Sequence, residues 1–197
     1  MNFVSVREHA GAKIVKELTG IDVPVLVDPT LLLTKAEWDE VTERPEWYKD
    51  EKYILLYFLG DLPDKVKKEV QNLSNKYKLK IIDLMDNDNI DCYSAAPGEF
   101  LYLIQNCSLM CTDSFHGTVF SILNKKPFIT CSRGSGDTDS RIDTLLQRFN
   151  LEDRKISKAN NYEIANPMEI EYIDIEAILD KERQRSREFL TEALNIQ

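Results

Sequence analysis

Continuous apolar runs alternate along this chain with segments whose apolar residues recur at helical spacing. The run at residues 53–59, for example, precedes a charged amphipathic segment that begins at Pro63 and reaches about Tyr77. Strands that are apolar on both faces belong to parallel sheets covered by helices on each side. The alternation therefore predicts an α/β fold, a Rossmann-like three-layer sandwich.

Six apolar runs predict a mostly parallel, six-stranded sheet. They span residues 3–6, 23–27, 53–59, 79–85, 108–112 and 127–130. Helical spacing predicts further helices at 8–18, 35–41, 97–106, 116–123, 140–149 and 175–194, and residues 152–172 read as a polar stretch. A chain of 197 residues suits one core, so we expect a single domain over residues 1–197.

Charge and hydropathy exclude several classes of partner. The chain carries 34 acidic and 25 basic residues, a net charge of −9, so nucleic acid is not expected as a partner. No apolar run approaches the ~20 residues needed to cross a bilayer, and the first residues lack the pattern of a signal peptide. We therefore expect a cytoplasmic protein without a transmembrane segment.

The four cysteines do not form a metal-binding pattern. They lie in apolar surroundings without a C-x-x-C pair, as is typical of reduced core thiols. Cys107 and Cys111 would lie ~13 Å apart along a strand, too far apart to share a zinc ion. We expect no metal site.

Polar residues follow several of the predicted strands. Parallel strands gather their carboxyl ends at one edge, where ligands bind in folds of this class. Anions are favoured there, because helix N-termini carry free N–H groups and a partial positive charge. The residues expected at this edge are Arg7, Glu8, His9, Asp28, Thr30, Gly60, Asp61, 113–117 and 132–139, the last with a glycine-rich loop at 133–137.

His116 is the sharpest single signal at this edge, because it is one of only two histidines and opens a helix after a buried strand. It acts either in proton transfer or as a helix cap or packed side chain. Arg7 either holds a carboxylate or phosphate with its guanidinium group or pairs with Glu8 or a neighbouring helix. Gly117 permits close backbone approach to a ligand.

Two more arginines and two candidate caps complete the predicted site. Arg133 and Arg141 flank the glycine-rich loop and add possible anion contacts, although a structural ion pair is the favoured reading of Arg141. Asp113 or Ser114 is expected to cap the helix that contains His116.

The motifs, taken together, resemble the polysaccharide pyruvyl transferase family. They are Ser-Val-Arg-Glu at 5–8, Val-Asp-Pro-Thr-Leu-Leu at 27–32, Thr-Asp-Ser-Phe-His-Gly at 112–117 and Asp-Ser-Arg-Ile at 139–142. The resemblance implies transfer of a pyruvyl ketal group from phosphoenolpyruvate to a sugar of a cell-surface polysaccharide. It implies no cofactor or metal, an anionic small-molecule donor, and a sugar or glycan acceptor.

The resemblance also implies a two-domain context and a set of site residues. The matching motifs are those of the C-terminal half of a two-Rossmann-domain, GT-B-like transferase, so we expect an N-terminal domain that is missing from this chain. His116 is implied as the catalytic acid or base. The substrate-binding residues implied are Arg7, Ser114, Phe115, Gly117, Arg133 and Arg141.

One departure from the family pattern keeps other functions open. Better-studied members carry an arginine two residues before the histidine, where this chain has Ser114. Arg133 or Arg141 could supply the missing cation. The alternatives are a sugar-nucleotide-dependent glycosyltransferase domain, or a half that binds a ligand without turnover.

Overall fold

The computed structural model describes residues 3–133, 137–163 and 165–194, with the side chains of 137 and 138 excepted. Within these ranges the chain forms one sheet of five parallel strands in the order β2-β1-β3-β4-β5. The strands are β1 (Tyr53–Tyr57), β2 (Lys80–Asp83), β3 (Leu109–Thr112), β4 (Phe128–Cys131) and β5 (Lys155–Ile156). The parallel, Rossmann-like architecture predicted from the sequence is confirmed.

The predicted number of strands is wrong. The segments 3–6 and 23–27 meet only at a single parallel bridge, between Val6 and Val25, and add no strand to the sheet. Pro24 explains why the bridge stays short, because it has no N–H to donate to the next position of the ladder. The fifth strand is instead β5, within a stretch that the sequence marked only as polar.

Helices cover both faces of the sheet. They are α1 (His9–Thr19), α2 (Lys35–Asp39), α3 (Asp64–Tyr77), α4 (Ile90–Tyr93), α5 (Pro97–Asn106), α6 (Phe115–Leu123), α7 (Asp137–Phe149) and α8 (Ile175–Leu194), with 3-10 helices at Pro29–Leu31, Glu152–Arg154 and Lys158–Asn160. The predicted stop of the first helix is confirmed. Gly20 adopts a left-handed conformation (φ 72°), and its N–H bonds to Lys16 O at 2.9 Å.

Alternate side chains of the sheet enter two separate cores. Ile54 and Leu56 of β1 face α3, while Tyr53 and Leu55 face the larger core built with α5, α6, α7 and α8. This period-two alternation between covered faces produces the three layers.

The strand order places a crevice at one edge of the sheet. From β1 the chain crosses to β2 on one side and then returns past β1 to β3 on the other. The carboxyl ends of β1 and β3 therefore flank the point where the strand order reverses, the usual ligand position in open α/β sheets.

Candidate functional site

The start of α6 lies at this crevice, and Ser114 caps it. The Ser114 side chain accepts a hydrogen bond from the Gly117 N–H at 3.3 Å, and its own N–H donates to Thr112 Oγ1 at 2.9 Å. Among the described residues, no acceptor faces the N–H groups of Phe115 and His116. The first turn of α6 thus presents the positive end of a helix and two donors that no described residue engages.

Gly117 serves packing against the strand. A Cβ atom at this position would lie 2.8 Å from Thr112 Oγ1 and 3.0 Å from Met110 Cε, both on β3. The close approach that the structure shows is between α6 and β3, and it differs from the approach to a ligand that the sequence predicts. Whether Gly117 touches a ligand stays a prediction.

His116 lies beside a buried carboxylate that comes from the N-terminal segment. Its side chain is 48% exposed, and its Nε2 lies 3.8 Å from Asp28 Oδ1, whereas the Asp28 side chain is only 3% exposed. A separation of 3.8 Å is too long for a direct hydrogen bond, so the imidazole lies in the electrostatic field of the Asp28 carboxylate without bonding to it directly. One nitrogen of the imidazole therefore faces a fixed negative group.

Asp28 is held by several donors at once. It accepts hydrogen bonds from the Thr30 N–H at 3.1 Å and hydroxyl at 2.8 Å, and it forms an ion pair with Arg7. Burial raises the pKa of Asp28, but the nearby His116 and the hydrogen bonds from Thr30 and Arg7 outweigh burial and hold the pKa well below its usual range. Asp28 is therefore a charged carboxylate beneath His116.

Arg7 lies at the predicted edge, where its guanidinium group forms an ion pair and is also partly exposed to solvent. It pairs with Asp28 and not with Glu8, whose carboxylate instead accepts a hydrogen bond from Ser140. The Arg7 side chain is 44% exposed, so it retains donors that face solvent. The structure thus brings Arg7 and His116 together on one carboxylate.

A second buried carboxylate, Asp113, occupies the crevice between β1 and β3. Its two oxygens accept from the Leu59 and Gly60 N–H groups, each at 2.8 Å, and from Arg133 at 2.8 and 3.1 Å. Of the two expected caps of α6, Ser114 is confirmed and Asp113 is wrong, because the Asp113 side chain points to the end of β1 instead. Arg133 is consequently engaged by a structural ion pair in this arrangement.

Arg141 lies over Phe115. Its guanidinium carbon is 5.5 Å from the centre of the Phe115 ring, and that ring is 5.4 Å from the His116 ring. In the part of the chain that the structure describes, Arg141 has no carboxylate partner, so the structural ion pair favoured by the sequence is absent there. Phe115 itself is 6% exposed and belongs to the core.

The glycine-rich loop predicted beside Arg133 lies largely outside the described residues, at 134–136. Sequence reasoning placed Asp28 at the edge but assigned no catalytic or binding role to it. It did not foresee that one carboxylate would contact both Arg7 and His116. The only sequence signal was the position of the Asp-Pro-Thr turn after an apolar run.

Burial raises the pKa of all four cysteine thiols above that of a free cysteine. All four are buried and free, and burial raises the pKa of Cys107 and Cys131 to about 12. Among the described residues, no group of three or more His, Cys, Asp or Glu side chains could hold a metal ion. Over the same residues, no helix is long and apolar enough to cross a membrane.

Comparison with known proteins identifies the family. The family model for polysaccharide pyruvyl transferases matches residues 2–135, more than half of the 197 residues. The match includes Arg7, Asp28 and His116 and ends before Arg141. No curated protein and no solved structure matches the chain. With these residues gathered at the edge of a parallel sheet and the family model covering them, the chain belongs to the polysaccharide pyruvyl transferase family.

Proposed function

We propose that this protein transfers a pyruvyl group from phosphoenolpyruvate to two hydroxyl groups of a sugar in a cell-surface polysaccharide, forming a ketal. The observation that carries the proposal is the arrangement at the start of α6. His116 lies beside the charged Asp28. Arg141 lies over the ring of Phe115, the neighbour of His116, and has no carboxylate partner among the described residues. Proton transfer to an anionic donor needs both kinds of group.

The reaction has a defined proton balance. The methylene carbon of phosphoenolpyruvate gains a proton and becomes a methyl group. Two new C–O bonds join the former enol carbon to the sugar, each hydroxyl loses its proton, and the C–O bond to phosphate breaks. One released proton balances the proton gained by carbon, and the other leaves with inorganic phosphate.

His116 is proposed as the group that moves these protons. Its imidazole is half exposed, so a substrate can reach it, and Asp28 lies on the Nε2 side at 3.8 Å. A negative charge there favours a proton on Nε2, which leaves Nδ1 to exchange a proton with the substrate. Asp28 is therefore a positioning residue in this scheme.

Arg141 and Arg7 are proposed to bind the donor anions. Arg141 lies over Phe115, next to position 114, where the family pattern carries an arginine and this chain has serine. A guanidinium group reaching in from α7 restores a cation near that position. The solvent-facing donors of Arg7 and the free N–H groups of Phe115 and His116 add further anion contacts.

Ser114, Gly117 and Arg133 act less directly in this proposal. Ser114 and Gly117 shape the first turn of α6, and Arg133 fixes Asp113. The proposed enzyme has no cofactor and includes a second, N-terminal Rossmann-like domain that closes over the same edge. We propose a cytoplasmic location, where phosphoenolpyruvate is available as the donor.

Phosphate release from phosphoenolpyruvate with a panel of candidate sugars tests the proposal. His116→Ala is expected to lower the rate by about 10²- to 10⁴-fold, the usual contribution of a general acid or base. Arg141→Gln is expected to raise the KM for phosphoenolpyruvate. Both variants should unfold at the wild-type temperature.

The matched control is His9→Ala, which removes the other histidine, an exposed residue at the start of α1. Equal phosphate release by wild type and His116→Ala would refute the role of His116. Thermal stabilisation by uridine or guanosine diphosphate sugars, without stabilisation by phosphoenolpyruvate, would favour a glycosyltransferase. Binding of phosphoenolpyruvate without turnover would favour a ligand-binding half.

A further inference from the structure

A cavity of about 640 Å³ opens beside His116, on the side of β2 and α4. Its wall is formed by the ends of β1 and β2 and by α4, α5 and α6. The lining residues are Tyr57, Leu59, Leu84, Met85, Cys92, Tyr93, Ala95, Pro97, Phe100, Ser114, His116 and Phe120. Pockets of ~300–1,000 Å³ hold drug-sized ligands, so the cavity has room for one or two sugar rings.

The cavity has no charged wall. Among the described residues that line it, none is Lys, Arg, Asp or Glu. An anion such as phosphoenolpyruvate would lose hydration there without gaining a cation. The guanidinium groups of Arg7 and Arg141 instead belong to residues outside the cavity lining. His116 therefore separates a cationic region from a neutral one.

The wall of the cavity is aromatic. The rings of Tyr57 and Phe100 lie 5.1 Å apart, and Phe100 lies 6.3 Å from Phe120. At the mouth, Tyr93 is 49% exposed, and no other aromatic ring of the described residues contacts it. Leu59 and Met85 are also exposed apolar side chains at this mouth. Such a surface suits a ligand with one apolar face.

A few hydroxyl groups are placed among these rings. No described residue forms a hydrogen bond with the Tyr57 or Tyr93 hydroxyl, so both remain available to a ligand. A pyranose ring combines the two properties required here, since it has an apolar C–H face and a rim of hydroxyl groups. A hydroxyl group at the His116 end of the cavity is also what the transfer reaction requires.

We infer that this cavity is the acceptor subsite, which binds a neutral pyranose with its C–H face on Tyr93 and with hydroxyl groups directed at His116. The inference rests on the proposed function, which it extends by assigning the sugar to the neutral side of His116 and the donor to the cationic side.

Saturation-transfer NMR on the intact protein tests the assignment. The probes are the methyl glycosides of glucose, galactose, mannose and N-acetylglucosamine, together with uridine. At least one glycoside is expected to bind wild type, and Tyr93→Ala should weaken that binding about tenfold through loss of ring stacking. Ala95→Phe, which fills the cavity instead of opening it, should abolish binding. Neither change should affect the affinity for phosphoenolpyruvate.

Tyr77→Ala is the matched control, because Tyr77 is 46% exposed, similar to Tyr93, but lies at the end of α3 away from the cavity. Glycoside binding that is equal in wild type, Tyr93→Ala and Ala95→Phe would overturn the assignment. So would binding of uridine alone, or of none of the probes. If glycosides bind at Tyr93 but phosphoenolpyruvate gives neither binding nor phosphate release, the proposed function fails and the subsite stands.

Discussion

Two buried aspartates at the same edge of the sheet, Asp28 and Asp113, have similar chemistry but different surroundings. Each side chain is 3% exposed, and each pairs with an arginine. Asp113 accepts one backbone N–H and one guanidinium N–H on each oxygen, at 2.8 to 3.1 Å. Asp28 shares an oxygen between Thr30 and a histidine that stands 3.8 Å away.

The difference lies in how fully the partners of each aspartate are engaged. Asp113 joins the ends of β1, β3 and β4 with acceptors that are fully used, so a ligand gains nothing by approaching it. The partners of Asp28 are incompletely engaged, because Arg7 is 44% and His116 is 48% exposed. A ligand can therefore contact both without breaking the fold, which supports the proposal that the Asp28 side of the edge is the reactive side.

The largest effect on stability is expected from a change at Asp113, whose hydrogen-bond acceptors are fully used. Asp113→Asn keeps the size of the side chain but removes the charge opposite Arg133 and turns an amide NH₂ towards backbone donors. Loss of one partner of a buried ion pair costs about 3–5 kcal/mol, and we expect a loss of that size in the free energy of unfolding. Urea unfolding at neutral pH measures it.

The control for this change is Asp61→Asn, an exposed aspartate in the loop that follows β1. It should unfold with the wild-type midpoint, since an exposed charge contributes little. A wild-type midpoint for Asp113→Asn as well would show that the four hydrogen bonds of Asp113 do not stabilise the fold, and the comparison of the two sites would lose its basis.

The sequence predicted the parallel sheet and its ligand edge because both follow from local pattern. Apolar runs set the strands, and α8 spans the predicted Ile175–Leu194 because its helical spacing is long and regular. Two short pairings were harder to predict. Pro24 limits the pairing of segments 3–6 and 23–27 to a single bridge, and the edge strand β5 has only two residues. Tertiary pairing, not local pattern, decides such short segments.

The partners of the charged side chains could not be predicted for a related reason. Asp28 and His116 are 88 positions apart, and Asp113, which follows β3, accepts from the N–H groups of Leu59 and Gly60 just beyond the end of β1. Sequence spacing gives the edge on which these groups lie but not which of them touch. The sequence therefore favoured capping for Asp113 and an ion pair for Arg141. In the structure, Asp113 bonds to the backbone beyond β1 and to Arg133, and Arg141 contacts the Phe115 ring.

Asp28→Asn is expected to cost less stability than Asp113→Asn but to lower the activity. In Asp28→Asn the amide oxygen can still accept from Thr30, and the lost pair involves a half-exposed arginine, so the free energy of unfolding should fall by about 1–2 kcal/mol. The charge that orients His116 is removed, so kcat for phosphate release should fall about 10- to 100-fold.

A double-mutant cycle separates positioning from general damage. Asp28→Asn should have no further effect on kcat in a His116→Ala background, because its effect passes through the imidazole. A full additional loss in that background would place Asp28 in a role independent of His116. An Asp28→Asn enzyme with wild-type kcat would remove Asp28 from the mechanism altogether.

The smallest expected effect is on how the free energy of unfolding of wild type and of Asp28→Asn depends on pH. The folded state holds the pKa of Asp28 well below its unfolded value of about 3.9, so the carboxylate stabilises the fold above that pH. This stabilisation falls as the pH drops from about 4 towards the folded pKa, because the unfolded chain then takes up the proton first. In Asp28→Asn there is no such proton to bind.

The difference in unfolding free energy between wild type and Asp28→Asn should therefore be present at about pH 5 and shrink as the pH falls from about 4 towards about 3. Urea unfolding of both proteins across this range measures it, and the other carboxylates cancel in the comparison. A difference that does not change down to about pH 3 would mean that the pKa of Asp28 is not lowered by folding. Its contacts with Arg7 and His116 would then not favour the charged form, and the distinction between the two aspartates would rest on exposure alone.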